Sequence, residues 1–301
     1  MYLKGLYILL VLLCMQLAVL SQKKPLVLAT YAYSTNNRLN NLKPLAQYLQ
    51  EETGIPVIAE SYPTVQQLMA AVLDGRVDLA MINTLGYLSF QKKHPGIVKP
   101  LVTLELSGDS ITNYGGCILA RTDAGIKNIT DVRKDDTIYR FAMVNKASTS
   151  GNLVPRLMLN SKGIPDADRQ FVLYYSGTHK QVIEDLLQNK ATLGGCGCSE
   201  YDKYAQAGKD FTDKVVILAS FNDIPLGPIM YRDGLRADTR GLLEKALLRA
   251  HEKQPGAFRN FCAGWSEFLT AKKFKPAKDA DYDKFRSLFG TNQSLWKLMD
   301  E

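Results

Sequence analysis

An α/β fold in two lobes, with two mainly parallel sheets flanked by helices, is what this sequence of 301 residues predicts. Two observations carry it. Short apolar runs alternate with amphipathic helical patterns along nearly the whole chain, the signature of parallel strands joined by helical crossovers. Small polar loops recur where an apolar run hands over to a helix, and ligands of open α/β sheets bind on that side. A chain of this length buries a good core and divides naturally into two units.

The run Leu26-Val27-Leu28-Ala29 reads as a buried first strand. A polar loop with Tyr31 and Tyr33 follows, then helical spacing in Leu42, Leu45, Ala46 and Leu49 with Gly54 as the stop. Residues 55–59 form a second strand, and Thr64-Val65-Gln66-Gln67 has the form of a capping box before a helix carrying Leu68, Met69 and Val72. Residues 77–82 are a third strand, with Asn83-Thr84 as a cap-like point before a helix of Leu85, Leu88 and Phe90. Strands at 99–106 and 114–120 flank the loop 107–110, where the chain first crosses between lobes. A helical turn at 128–132 precedes the second lobe's central strand, 137–144. Residues 171–175 are a strand, Ser176-Gly177-Thr178-His179 a polar junction, and Val182, Ile183, Leu186 and Leu187 one face of a helix. The small-residue strand 192–196 suggests close backbone approach. A strand at 215–219 lies within the second crossing, 211–221, and Ile224-Pro225-Leu226-Gly227-Pro228 is a rigid turn into the strand 229–231. The remainder reads as helical, with Phe258, Phe261, Trp265, Phe268 and Phe285 at core spacing. Residues 25–106 and 220–301 then form lobe 1 and residues 107–219 lobe 2, with the two crossings as a hinge.

The chain centres on Ala147-Ser148-Thr149-Ser150-Gly151-Asn152-Leu153-Val154-Pro155. Strand, hydroxylated loop and helix in that order present free backbone N–H groups and the positive end of a helix dipole, a place that binds anions. Three hydroxyls add donors, and Gly151 lacks the Cβ that would hold a ligand off the backbone. Pro155 is tolerated only in a first turn, so the helix should start near Gly151 or Asn152. His179 falls at a second helix start and Asn83-Thr84 at a third.

Net charge is +7, with no Lys/Arg cluster interleaved with aromatics and no zinc-finger spacing, so nucleic acid is not an expected partner. No metal cluster, G-x-S-x-G or paired carboxylate motif is present; neither cofactor nor catalysis is expected. Residues 1–21, with Lys4 ahead of the apolar run 6–20, read as a secretory signal peptide, with an uncleaved membrane anchor as the alternative. Export would allow Cys117, Cys196, Cys198 and Cys262 to pair, in an order the sequence does not give. Read for packing alone, the C-x-C is a pair of small buried thiols.

The chain resembles the phosphate/phosphite/phosphonate-binding proteins of ABC importers, the PhnD-like group of periplasmic binding proteins, from about Pro25 to Phe289. The resemblance is carried by Ser148-Thr149-Ser150-Gly151 followed by Pro155, by Gly75-Arg76-Val77-Asp78-Leu79-Ala80, by His179, and by Ile224-Pro225 with Pro228 and Arg232. It implies a type II periplasmic-binding-protein fold, with Ser148, Thr149, Ser150 and His179 on the phosphoryl oxygens. Where phosphonate binders place a tyrosine after the third strand, this chain has Ile82 or Asn83. Where aminoalkyl-phosphonate binders place an acid in a Pro-Gly-Asp-Pro turn, it has Pro225-Leu226-Gly227-Pro228; the second acid falls near Ser199 or Glu200. A smaller oxyanion, or a ligand bound through Tyr31, Tyr33 or Asn83, is the expectation, with Thr84 as a further first-lobe donor. The implied role is that of an exported, periplasmic and monomeric solute-binding protein handing its ligand to an ABC permease. A sensory module on the same lobes is the alternative, and a phosphoryl hydrolase a weaker one.

Overall fold

The computed structural model describes residues 24–34, 36–107, 113–133 and 137–300. The expected leader at 1–21 and the loop after Ser107 lie outside the described residues. The chain begins β1 (Leu26–Tyr31), α1 (Leu39–Thr53), β2 (Val57–Tyr62), α2 (Val65–Leu73), β3 (Leu79–Met81), α3 (Thr84–Lys93) and β4 (Val98–Leu106). It crosses into β5 (Asn113–Arg121), β6 (Arg140–Met143), α4 (Val154–Ser161), β7 (Val172–Tyr175), α5 (His179–Leu187), β8 (Leu193–Gly197), α6 (Cys198–Ala207) and β9 (Val215–Pro225). It returns as β10 (Ile229–Arg232), α7 (Ala237–Lys253), α8 (Pro255–Cys262) and β11 (Ala271–Pro276), ending in short helical turns.

Two mixed sheets result, ordered β11-β4-β10-β3-β1-β2 and β7-β6-β8-β5-β9. Each has a parallel half, β3-β1-β2 in one and β7-β6-β8 in the other, with antiparallel strands beside it. This is the two-lobed, type II arrangement expected. Strand β9 stays in the second sheet as far as Pro225, so residues 220–225 pair there with β5 rather than with the first lobe. The C-terminal region is not all helical. Ala271–Pro276 pairs antiparallel with β4 at the sheet's edge, where lysines and a proline suit a strand with one open side. The tail bridges the lobes: Asn292 Nδ2 donates to Asn160 Oδ1 at 2.7 Å, and the Ser89 hydroxyl bonds to the Met299 carbonyl.

The helix caps expected from sequence form. Thr64 Oγ1 accepts from Gln67 N at 3.1 Å, Asn83 Oδ1 from Gly86 N at 2.8 Å, and Thr178 Oγ1 from Gln181 N at 3.0 Å. Phe258, Phe261, Trp265, Phe268 and Phe285 are all buried. Cys117 on β5 is disulfide-bonded to Cys198, the first residue of α6, with Cα atoms 5.1 Å apart. Cys196 and Cys262 are free and buried. Closing a loop of 81 residues contributes about 2–4 kcal/mol.

The return turn packs tightly. A Cβ on Gly227 would stand 2.0 Å from the Ile82 carbonyl oxygen and 2.7 Å from Asn83 Cα. Glycine therefore lets the second crossing lie directly against the β3–α3 junction. Gly227→Ala should lower stability by about 1–3 kcal/mol through overpacking against backbone, read as a reduced denaturant midpoint; an unchanged midpoint would mean that this approach is not tight.

Candidate functional site

The carboxyl ends of β1, β2, β3, β6, β7 and β8 all lead into loops or helix starts that surround one cavity of about 660 Å³ between the lobes. The central wall is the expected stretch. After β6 the chain turns at residues 144–148, and Ser148 caps the next helix, its Oγ accepting from Gly151 N at 3.0 Å. That helix opens as a π turn, Thr149–Leu153, which runs on into α4. Leu153 N–H donates to the Ser148 carbonyl and Val154 N–H to that of Thr149, both five residues back. The helix thus starts at Thr149, earlier than residues 151–152. Pro155 has no N–H to give the Gly151 carbonyl, and that carbonyl instead accepts from Val144 N at 3.0 Å. The proline's missing donor becomes the bond that ties the helix start to the end of β6.

Ser148, Thr149 and Ser150 line the cavity and are 8%, 2% and 4% exposed. Gly151 does not line it. A Cβ there would meet Val144 Cγ2 at 2.2 Å, so the residue serves the packing of the π turn on the strand rather than a ligand's approach. Asn152, fully buried, holds the loop from behind. Its Nδ2 donates to the Lys146 carbonyl at 2.8 Å, and its Oδ1 accepts from Arg156 Nε at 2.9 Å.

From the first lobe, Asn83 reaches the same wall: its Nδ2 donates to the Ala147 carbonyl at 2.8 Å. Leu85 N–H, an unpaired donor at the start of α3, is accepted by Thr149 Oγ1 at 3.0 Å. Thr149 is therefore both a cavity residue and the second cap of a helix in the other lobe. Thr84 is fully buried, bonds to the Pro225 carbonyl and lies outside the cavity, fixing the hinge. Tyr114, at the start of β5, lines the cavity with Thr149 and Ser150.

His179 begins α5 in the cavity wall. Gly197 N–H donates to its Nδ1 at 2.9 Å, so the neutral ring carries its proton on Nε2 and is a donor there. Burial, with Lys203 and Arg38 nearby, lowers its pKa to about 4. Its backbone N–H donates to the Tyr33 hydroxyl of the first lobe at 3.0 Å, a bond across the cavity.

Tyr31 is buried in the first-lobe wall beside Arg38, a residue the sequence reading did not single out. Arg38 is only 4% exposed and adopts φ +59°. Its Nε donates to the Gly264 carbonyl at 2.9 Å, and its guanidinium lies 4.8, 5.3 and 4.6 Å from the rings of Tyr31, Tyr33 and Trp265. Glu267 lines the same wall; burial raises its carboxyl pKa, opposed by Arg38. The lining holds four basic residues, Arg38, Lys146, Lys180 and Lys203, against Glu200 and Glu267. With His179 neutral the formal excess is two positive charges. Among the described residues no group of His, Cys, Asp or Glu is placed to hold a metal.

A histidine with a folded pKa near 4 against 6.5 binds its proton more readily in the unfolded chain. Its neutral form thus contributes nothing to pH dependence above pH 6.5 and costs stability as pH falls from 6.5 towards 4, by about 3 kcal/mol in all. Urea titrations across that window should show the loss, and His179→Asn should flatten it; an identical acid slope in the variant would contradict the neutral assignment.

Comparison with known proteins bears on the whole chain. The family described as "ABC transporter, phosphonate, periplasmic substrate-binding protein" matches residues 28–282. A Xanthomonas citri protein solved with bound chloride is 21% identical, with a TM-score of 0.72 over 91% of this chain and 98% of its own. PhnD1 from Prochlorococcus marinus, solved with methylphosphonate, is 14% identical, with a TM-score of 0.71 over 90% and 99%. A binding component of an ABC phosphonate transporter from Pseudomonas aeruginosa is 15% identical, with a TM-score of 0.68 over 92% and 95%. At these identities the structures establish a shared fold, while the family match covers most of the sequence. The chain therefore belongs to the phosphonate-type periplasmic substrate-binding proteins of ABC transporters, non-catalytic extracytoplasmic carriers that deliver a small ligand to a membrane permease.

Proposed function

We propose that the carried ligand is a phosphate-, phosphite- or phosphonate-type oxyanion, held in the interlobe cavity. The observation that carries this reading is the helix start at Ser148–Ser150, three buried hydroxyls facing a cavity with an excess of positive charge. First-turn N–H groups and the helix dipole favour an anion there. Ser148, Thr149 and Ser150 donate to its oxygens, His179 donates through Nε2, and Tyr114 donates its hydroxyl. Asn83 approaches the anion from the first lobe, with Tyr31 and Arg38 further along that wall.

A neutral His179 suits this task. It offers a donor without a proton that would have to be balanced, and its orientation is fixed by Gly197. Lobe closure is coupled to the site because Asn83, Leu85 and Tyr33 already bond across it to Ala147, Thr149 and His179. An anion bonded to both walls binds the closed form more tightly than the open one and so shifts the population toward it, the form a permease would recognise. Hydrogen bonds to a charged group contribute roughly 1.5–3 kcal/mol each. A handful, offset by desolvation and immobilisation, is consistent with about micromolar binding, near −8 kcal/mol.

Calorimetry with phosphate, phosphite, methylphosphonate and sulfate, and with a phosphomonoester, tests the reading: at least one phosphorus oxyanion should bind at micromolar level, and no binding by any of them would overturn it. Ser150→Ala should weaken that binding about 10- to 150-fold, the loss of one charge-assisted bond.

A further inference from the structure

The cavity has a second wall that a bare oxyanion does not use. A small tetrahedral anion displaces only a few waters of about 30 Å³ each, whereas this cavity is about 660 Å³, within the range of roughly 300–1,000 Å³ that suits organic ligands. The remaining space is bounded on the first-lobe side by Arg38, Glu267, Ser266 and the faces of Tyr31 and Tyr33.

Arg38 and Glu267 define what fits there. The Arg38 guanidinium is held in place by the Gly264 carbonyl through Nε and by the Tyr31 carbonyl, 3.5 Å from Nη1, between three aromatic rings. Its backbone is pinned in a left-handed conformation, with its N–H on Asn36 Oδ1 at 2.8 Å. The Glu267 carboxyl accepts weakly from the Ser266 hydroxyl at 3.4 Å. The two charged groups make no ion pair within 4.0 Å, yet they are near enough for Arg38 to act on the Glu267 carboxyl. Glu267 in turn acts on Tyr31, Tyr33 and Tyr114, all in the cavity wall.

A wall with one buried, fixed cation and one half-buried acid has little net charge. An ammonium on the ligand would add to the charge of Arg38, and a carboxylate to that of Glu267; either leaves an uncompensated charge on this wall. Hydroxyl groups satisfy both, since each accepts from the guanidinium and donates to the carboxyl. The Tyr31 and Tyr33 rings supply apolar faces for the intervening carbons.

We infer that the ligand is an organic phosphoryl compound, a phosphomonoester or phosphonate, whose substituent is uncharged and bears hydroxyls, with those hydroxyls lying between Arg38 and Glu267. The inference rests on the oxyanion reading and narrows it from a small anion to a polyol-type ester. Titration calorimetry on the mature chain tests it with glycerol 3-phosphate and glucose 6-phosphate against inorganic phosphate, methylphosphonate, 2-aminoethylphosphonate and phosphonoacetate. At least one polyol phosphate should bind tenfold or more tightly than each of the other four. Equal or tighter binding of the bare anions, the amine or the carboxylate overturns this inference and leaves the oxyanion reading standing; binding of none of the six overturns both. In Glu267→Gln the preference for the polyol phosphate over inorganic phosphate should fall towards unity, and a preserved preference would remove Glu267 from the subsite. Should that variant fail to give a cooperative melt, the wild-type panel alone decides.

Discussion

The structure depends on how one proline is accommodated. Pro155 removes the donor that a regular helix would direct at the Gly151 carbonyl, and Val144 N–H takes that place. The helix start widens into a π turn, and its first residues are drawn against the end of β6. Each piece then has one position. Gly151 must be glycine because Val144 fills the space of a Cβ. Ser148 caps the turn, and Thr149 and Ser150 are left facing the gap between the lobes. An unbroken α-helix beginning two residues later would carry these hydroxyls elsewhere.

The same wall is where the lobes meet. Thr149 caps a helix of the first lobe through Leu85 N–H, Asn83 reaches back to Ala147, and on the far side Tyr33 caps α5. Two helix starts, α3 and α5, are therefore completed by residues of the opposite lobe, while the π turn is capped by its own Ser148. Closing the lobes satisfies backbone donors that opening would hand to water. The hinge side is stiffened by Gly227 against Ile82 and by Thr84 against Pro225. The disulfide between β5 and α6 fixes the strand end whose Gly197 N–H orients His179. Binding wall and hinge are in this way one connected set of contacts.

Much of this could be read from the residues. Thr64, Asn83, Ser148 and Thr178 each stand before a periodic apolar run, and each is an N-cap. The apolar runs between them gave the parallel strands because buried strands need little else. Other features left weaker traces. Ala271–Pro276 has one apolar residue facing the core, Phe274, among lysines, too little alternation to register as a strand. Arg38, Tyr114 and Glu267 are far apart in sequence and converge only through the double crossing. The register sets Cys117 opposite Cys196, yet the bond goes to Cys198, where the chain turns into α6. His179 and Thr149 bond across the cavity through groups that no motif encodes, a backbone N–H meeting the Tyr33 hydroxyl and a threonine hydroxyl accepting from Leu85 N–H. Thr84, a reasonable cap-adjacent donor by pattern, turns inward because its neighbour Asn83 already closes the helix start.

Arsenate keeps the shape and charge of phosphate and carries an anomalous signal, so a crystal structure grown with it locates the anion without assumption. The account places the arsenic within about 4 Å of the Ser150 hydroxyl, one bond length plus one hydrogen bond, with Tyr114 and His179 Nε2 around it. An anomalous peak elsewhere on the molecule, or an interlobe cavity left without one at saturating arsenate, would contradict it.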